Sequence, residues 1–142
     1  VFMKTPVRQV MTHGVETISG AATLEEAAKA MRTHNVGILP VLENEKLAGV
    51  ITDRDIAVRA VSARMRPEMT RVRDIMTPKV VACFEDQEIT KASMLLEKNL
   101  IHRLIVLDRN EKLVGLVSLS DIASKTRKEA LSGHVLSKVS AA

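Results

Sequence analysis

The chain has no tryptophan and no tyrosine, and only two phenylalanines among its 142 residues. Nucleic-acid binding by stacking bases on aromatic rings therefore has almost nothing to use. A single cysteine, Cys83, excludes an intrachain disulfide framework and fits a reducing compartment. No run approaches the roughly 20 apolar residues of a membrane helix, and no charged-then-apolar signal segment opens the sequence. His13, His34, His102 and His134 lack any mutual spacing suited to a metal site, and each reads as a surface or loop residue except His102. Asp53 and Asp55 have no Ser, Cys or His nucleophile system beside them, so a paired-carboxylate enzyme site is not expected. These absences predict a cytoplasmic protein that is not an enzyme and uses neither metal nor membrane.

What is present is the composition of a globular protein, 46% hydrophobic and 27% charged. The net charge of +4 and sequence pI near 9.5 raise nucleic acid as a partner. The basic residues are scattered, however, with only Lys125, Arg127 and Lys128 forming a loose cluster. Such a balance suits phosphate on a small ligand at least as well.

One half-domain is written twice. Val7-Arg8-Gln9-Val10-Met11-Thr12 returns as Val72-Arg73-Asp74-Ile75-Met76-Thr77, an offset of 65 from Val7 to Val72. The same offset carries Ala27 onto Ala92 and Val41 onto Val106. One extra residue in the second copy then places Gly49 on Gly115, Thr52 on Ser118 and Asp55 on Asp121. Each copy reads β-α-β-β-α. Short β-prone runs stand at 15–18 and 80–83, the second carrying Cys83 as a buried strand residue. Thr23 and Glu26 have capping-box spacing ahead of a helix with the apolar stripe Leu24, Ala27, Ala28 and Met31, repeated as Ile89, Ala92, Ser93 and Leu96. Two antiparallel strands follow in each copy, 38–42 with 47–51 and 103–107 with 113–117, and further helices begin at Asp53 and Leu119. The spacing divides the chain into a first repeat at 7–62, a linker at 63–71, a second repeat at 72–126 and a tail at 127–142. The tail carries Leu131, Val135, Leu136 and Val139 around Gly133 and reads equally as an interrupted amphipathic helix or a partly disordered end.

The copies close on Gly49-Val50-Ile51-Thr52-Asp53-Arg54-Asp55 and Gly115-Leu116-Val117-Ser118-Leu119-Ser120-Asp121. A hydroxyl residue and an Asp three later straddle a strand-to-helix junction. Such a junction offers amide donors to phosphate, and a carboxylate there can accept both hydroxyls of a ribose. The same spacing is also a capping box that needs no ligand. Arg59, four residues after Asp55, reads either as its i, i+4 partner or as a phosphate ligand. Met11 and Met76, at equivalent positions, read as packing residues or as a surface against adenine.

With these motifs in order, residues 7–126 resemble a tandem pair of cystathionine-β-synthase (CBS) domains, a Bateman module. The resemblance rests on the opening Val-x-x-Val/Ile-Met-Thr, the strand Gly37-Ile38-Leu39-Pro40-Val41 and the closing Gly-x-x-Thr/Ser-x-x-Asp. It implies an α/β (α+β) fold of two β-α-β-β-α repeats with pseudo-twofold symmetry, sheets against each other and helices outside. It implies a regulatory module binding AMP, ADP or ATP, with no cofactor required. The two clefts are expected to take Ser118, Ser120 and Asp121 with Glu16, Val36 and Gly37, and Thr52, Arg54 and Asp55 with Val81, Ile101 and His102. His102-Arg103 beside the Ser118 motif is similar to the nucleotide-sensing repeats of AMP-activated kinase γ subunits, where such a pair lies near the phosphates. The first copy has Gly37 and Ile38 there, so preferred binding is expected at Asp121. The implied partners are an adenosyl ligand, a second copy in a homodimer and an unidentified regulated protein. The alternatives are a ligand-free interaction module and, less favoured, a nucleic-acid binder.

Overall fold

The computed structural model describes residues 4–128 and residue 130. The tail residues Leu131, Gly133, Val135, Leu136 and Val139, with His134, lie outside the described residues. The described residues form two compact units, one running Gly14–Val80 and the other combining those up to His13 with those from Val81 onward.

In the Gly14–Val80 unit, β1 (Ile18–Ser19) pairs in parallel with β2 (Ile38–Glu43), which pairs antiparallel with β3 (Lys46–Thr52). Helix α1 (Leu24–His34) connects β1 to β2. Its start is the expected box: Glu26 N–H donates to Thr23 Oγ1 at 3.2 Å and Thr23 N–H to Glu26 Oε2 at 3.4 Å. It ends at Asn35, whose left-handed φ of 53° suits a short polar side chain. Leu24, Ala27 and Met31 are buried, but Ala28 is exposed, so the apolar stripe is narrower than its sequence spacing predicts. Helix α2 (Asp53–Asp55) runs into a π turn over Ile56–Val61, and α3 spans Val72–Ile75. The core gathers Leu24, Ala27, Met31, Leu39, Val41, Ile51, Ala60, Val72 and Ile75. Each fully buried Leu or Ile there contributes roughly 1.5–3 kcal/mol.

The other unit repeats this plan. β4 (Ala82–Phe84) pairs in parallel with β5 (Arg103–Leu107), and β5 antiparallel with β6 (Leu113–Ser118). Helix α4 (Ile89–Asn99) starts without a side-chain cap, and residues 119–128 form α5. The core gathers Val7, Met11, Cys83, Ala92, Leu96, Leu104, Val106, Val117 and Ile122. Cys83 is a buried free thiol on β4, as its position in an apolar run predicts.

The first strands begin later than the β-prone runs suggest, and a proline explains why they differ in length. Val50 exchanges two backbone hydrogen bonds with Thr77, at 3.0 and 2.8 Å, so its peptide groups face away from β2. Its β2 partner, Pro40, therefore directs its nitrogen toward β1. Proline has no N–H to give, and pairing starts only at Ile18 with Val41. In the second copy Ile105 replaces Pro40, and pairing starts one position earlier, at Ala82 with Ile105.

The units differ from the sequence repeats in one respect. The opening segment of each repeat completes the unit built by the other repeat's strands. Residues 70–73 are held by Leu24 N–H to Thr70 O, Val72 N–H to Ala22 O and Arg73 N–H to Gly20 O, and Thr77 bridges β3. Residues 5–8 are held by Ile89 N–H to Thr5 O, Val7 N–H to Gln87 O and Arg8 N–H to Glu85 O, and Thr12 bridges β6. The two sets correspond bond for bond. Segment 63–71 is irregular, as its lack of periodicity predicts, but Glu25 N–H donates to Pro67 O, tying it to the start of α1.

Candidate functional site

Each closing motif sits where the last strand of a sheet turns into a helix. In the Gly14–Val80 unit, Asp55 N–H donates to Thr52 Oγ1 and Thr52 N–H to Asp55 Oδ2, both at 3.0 Å. In the other unit, Asp121 N–H donates to Ser118 Oγ at 3.1 Å and Ser118 N–H to Asp121 Oδ2 at 2.9 Å. Both motifs are complete capping boxes. Each satisfies two amides that a strand-to-helix turn leaves open.

The surroundings of the two boxes differ. Around Ser118, the Ser120 hydroxyl stands 2.9 Å from the Ser118 hydroxyl. Arg103 lies directly across the β5–β6 ladder from Ser118. Arg103 and its neighbour His102 are exposed, and neither side chain has a hydrogen-bond or ion-pair partner among the described residues. A guanidinium free of partners among the described residues, across the ladder from a hydroxyl, is a ready donor to phosphate oxygens. Asp121 uses only Oδ2 in its box, leaving Oδ1 for a further donor. Val81 and Ile101, expected to hold a base, pack against the apolar core of this unit while staying half-exposed.

Around Thr52, no cation occupies the Arg103 position; Ile38 pairs with Thr52. Gly37 O accepts Asp53 N–H at 3.0 Å, and a Cβ on Gly37 would stand 2.9 Å from Asp53 Oδ2. The carboxylate thus fills the space a side chain at 37 would need. The second copy has His102 and Leu119 at these two positions, so the pair has changed together. Arg54 donates its N–H to Asp53 Oδ1 at 2.9 Å, while its exposed guanidinium has no partner among the described residues. The Thr77 hydroxyl stands 3.4 and 3.5 Å from the two oxygens of Asp55. Glu16 faces His34, with 3.5 Å between Oε2 and Nε2, and Val36 is an exposed apolar residue.

Arg59 does not pair with Asp55, four residues before it. Its Nη1 donates to Ile75 O at 2.7 Å and to Met76 O at 3.3 Å, closing the carbonyl end of α3. Met11 and Met76 press against Gly115 and Gly49. A Cβ on Gly115 would lie 2.6 Å from Met11 Sδ and 2.7 Å from Thr12 O, and one on Gly49 would lie 2.6 Å from Thr77 O. The glycine of Gly-x-x-Thr/Ser-x-x-Asp therefore admits the opening segment onto the sheet. Sequence reasoning did not single out Asp53 and Thr77 as neighbours of a site. The signals for them were the coupled Gly37/Asp53 and His102/Leu119 change and the hydroxyl that ends both opening segments. Among the described residues, no three His, Cys, Asp or Glu side chains stand as a metal-holding group, and no helix is long and apolar enough to cross a membrane.

Comparison with known proteins agrees with this architecture. The family described as CBS domain matches twice, at residues 7–61 and 72–127. The chain is 38% identical over 134 residues to the CBS domain-containing protein YhcV of Bacillus subtilis, covering 94% of each. A solved structure of a putative signal-transduction protein with CBS domains from Burkholderia ambifaria superposes with a TM-score of 0.78 at 29% identity, covering 86% of this chain and 93% of that one. The CBS domain pair of protein MJ0100, solved in complex with 5′-methylthioadenosine and S-adenosyl-L-methionine, gives a TM-score of 0.78 at 27% identity, covering 89% and 99%. Proteins built on such pairs are regulatory modules. With two matched copies, the mixed α and β fold and the closing motif in each, this chain belongs to the CBS-domain family.

Proposed function

We propose that the protein is a regulatory module that senses an adenine nucleotide, AMP, ADP or ATP, and changes its conformation or partner binding on occupancy. Asp121 takes the ribose hydroxyls, and Ser118, Ser120, Arg103 and His102 take the phosphates. Thr52, Arg54 and Asp55 form a second, weaker site. The observation that carries the reading is Arg103, without a partner among the described residues, opposite Ser118, whose box leaves one Asp121 oxygen without a partner among those residues. The MJ0100 pair with its two adenosyl compounds supports the ligand class. The working form in this reading is a cytoplasmic homodimer, with no catalysis of its own.

Titrating AMP by calorimetry tests it. We expect Asp121→Ala to weaken binding at least tenfold, a loss of about 1.4 kcal/mol, and Asp55→Ala to leave the tighter phase unchanged. Equal losses in the two variants would remove the preference.

A second reading, a ligand-free interaction module, is favoured by the closed geometry of both boxes. A thermal-shift series with AMP, ADP, ATP, NAD and S-adenosylmethionine separates the two. A ligand at 100 times its Kd stabilises by about 2.7 kcal/mol, so a flat series near millimolar concentration selects the second reading.

A further inference from the structure

We propose that residues 5–12 are an exchangeable arm, and that the groove they fill accepts the same segment from a second copy of this chain. The groove is a sheet edge and a loop, and it recognises the arm mainly through main-chain atoms. Loop 85–89 exchanges three backbone hydrogen bonds with Thr5, Val7 and Arg8, of 3.0, 2.8 and 3.0 Å. Leu116 on β6 exchanges two more with Thr12, of 2.8 and 3.1 Å. Specificity comes from two apolar anchors. Val7 is fully buried and Met11 is 8% exposed in the core of this unit, and Met11 passes over Gly115, the one β6 position with no side chain to block it. Between its single bridges at Pro6 and Thr12 the arm winds through a 3-10 turn, Val7–Gln9, so its two anchors stand four residues apart, and only the Thr12 end adds to the sheet edge as a strand does.

Three observations make the arm the piece that exchanges. First, the Gly14–Val80 unit is one continuous stretch and contains its own opening segment, whereas residues 5–12 are separated from their groove by that entire unit. Second, the arm is joined to the unit at Gly14, whose φ is +64° and whose missing Cβ would meet nothing within 4 Å. A glycine in open space at a unit boundary can take up a new backbone direction at little cost. Third, an arm donated by a second copy would make the same five hydrogen bonds and bury the same Val7 and Met11. Exchange leaves the contacts unchanged and alters only the hinge, the condition under which swapping is cheap.

The occupant can be trapped covalently in the full chain. Thr12 and Leu116 form a hydrogen-bonded antiparallel pair, a spacing of about 5.5 Å between Cα atoms that a disulfide can span. We would place Thr12→Cys and Leu116→Cys in a Cys83→Ala background, refold from denaturant over a range of protein concentrations, oxidise, and read monomer against dimer on non-reducing gels. The expected result is a disulfide-linked dimer whose share rises with concentration. A synthetic peptide of residues 4–13 added during refolding should suppress it, and the same peptide with Val7→Asp and Met11→Asp should not. If the first pair disturbs folding, Arg8→Cys with Glu85→Cys, both with solvent-accessible side chains, reads the other end of the arm. Linkage within single chains at every concentration overturns the proposal. So does a dimer that forms equally in the presence of the arm peptide.

Discussion

Cys83 shows what burial does to a single group. Its surroundings push the thiol up from 9.0 to about 11, because the apolar core disfavours the thiolate. The unfolded chain loses this proton near 9, so between about 9 and 11 the native state binds more protons than the unfolded one. The thiol's contribution to stability is therefore complete below pH 9 and is lost as pH rises through about 11. We expect urea midpoints to fall across this window in the wild type, and Cys83→Ala to remove that alkaline slope while lowering the whole curve. A slope shared by both proteins would assign it to other groups. The same residue-level physics separates the two aspartates of the proposed site. Asp55 stands within 3.5 Å of a second hydroxyl, Thr77, whereas Asp121 keeps one oxygen free of partners among the described residues, in the box whose serine lies opposite Arg103.

At the scale of elements, the closing motif caps a helix, and substitutions can separate that job from the proposed ligand binding. Ser118→Ala and Thr52→Ala each remove a cap, and each should cost about 1 kcal/mol in ligand-free protein by urea unfolding. Only Ser118→Ala should also weaken the tighter phase of AMP binding. Gly49→Ala acts differently, since its Cβ would stand 2.6 Å from the backbone oxygen of Thr77. The segment must shift, at about 1–3 kcal/mol, and the melting temperature should fall with or without ligand. Helices and strands were legible in sequence because their signals are local: period 3.6 in α1, apolar runs in β2 and β5, Thr23 three residues before Glu26. The sequence placed the first strands early because Val80 and Val81 favour strands but have no paired partner, and because it does not show which way the Pro40 nitrogen points. The expected Arg59 pairing with Asp55 fails for a related reason. Helical spacing offered it Asp55, but the α3 carbonyls sixteen and seventeen residues on were nearer to its guanidinium.

The molecule as a whole is organised by exchange between the two repeats, which the sequence could not reveal. Val-Arg-Gln-Val-Met-Thr and Val-Arg-Asp-Ile-Met-Thr are so alike that either would fit either sheet, so neither states which one it joins. The repeat count, the fold class and the four box residues were readable; the pairing of segment with sheet needed coordinates. A folding experiment follows. A fragment spanning 14–80 carries a complete unit and should show cooperative urea unfolding with a helical far-UV signal. A fragment spanning 7–62, the first repeat as written, lacks residues 70–77 and leaves Leu24 and Gly20 without their backbone partners. It should give no cooperative transition. The reverse outcome would show that sequence repeats, not the exchanged units, are the folding units.

The separation of arm and groove also sets a clock on biosynthesis. Thr12 leaves the ribosome before its partner Leu116, which is made 104 residues later. At roughly 5–20 residues per second, the nascent chain carries Val7 and Met11 for about 5–20 s before their pocket exists. The 14–80 unit can close during that wait, so a segment translated ahead of that unit finds its place after it.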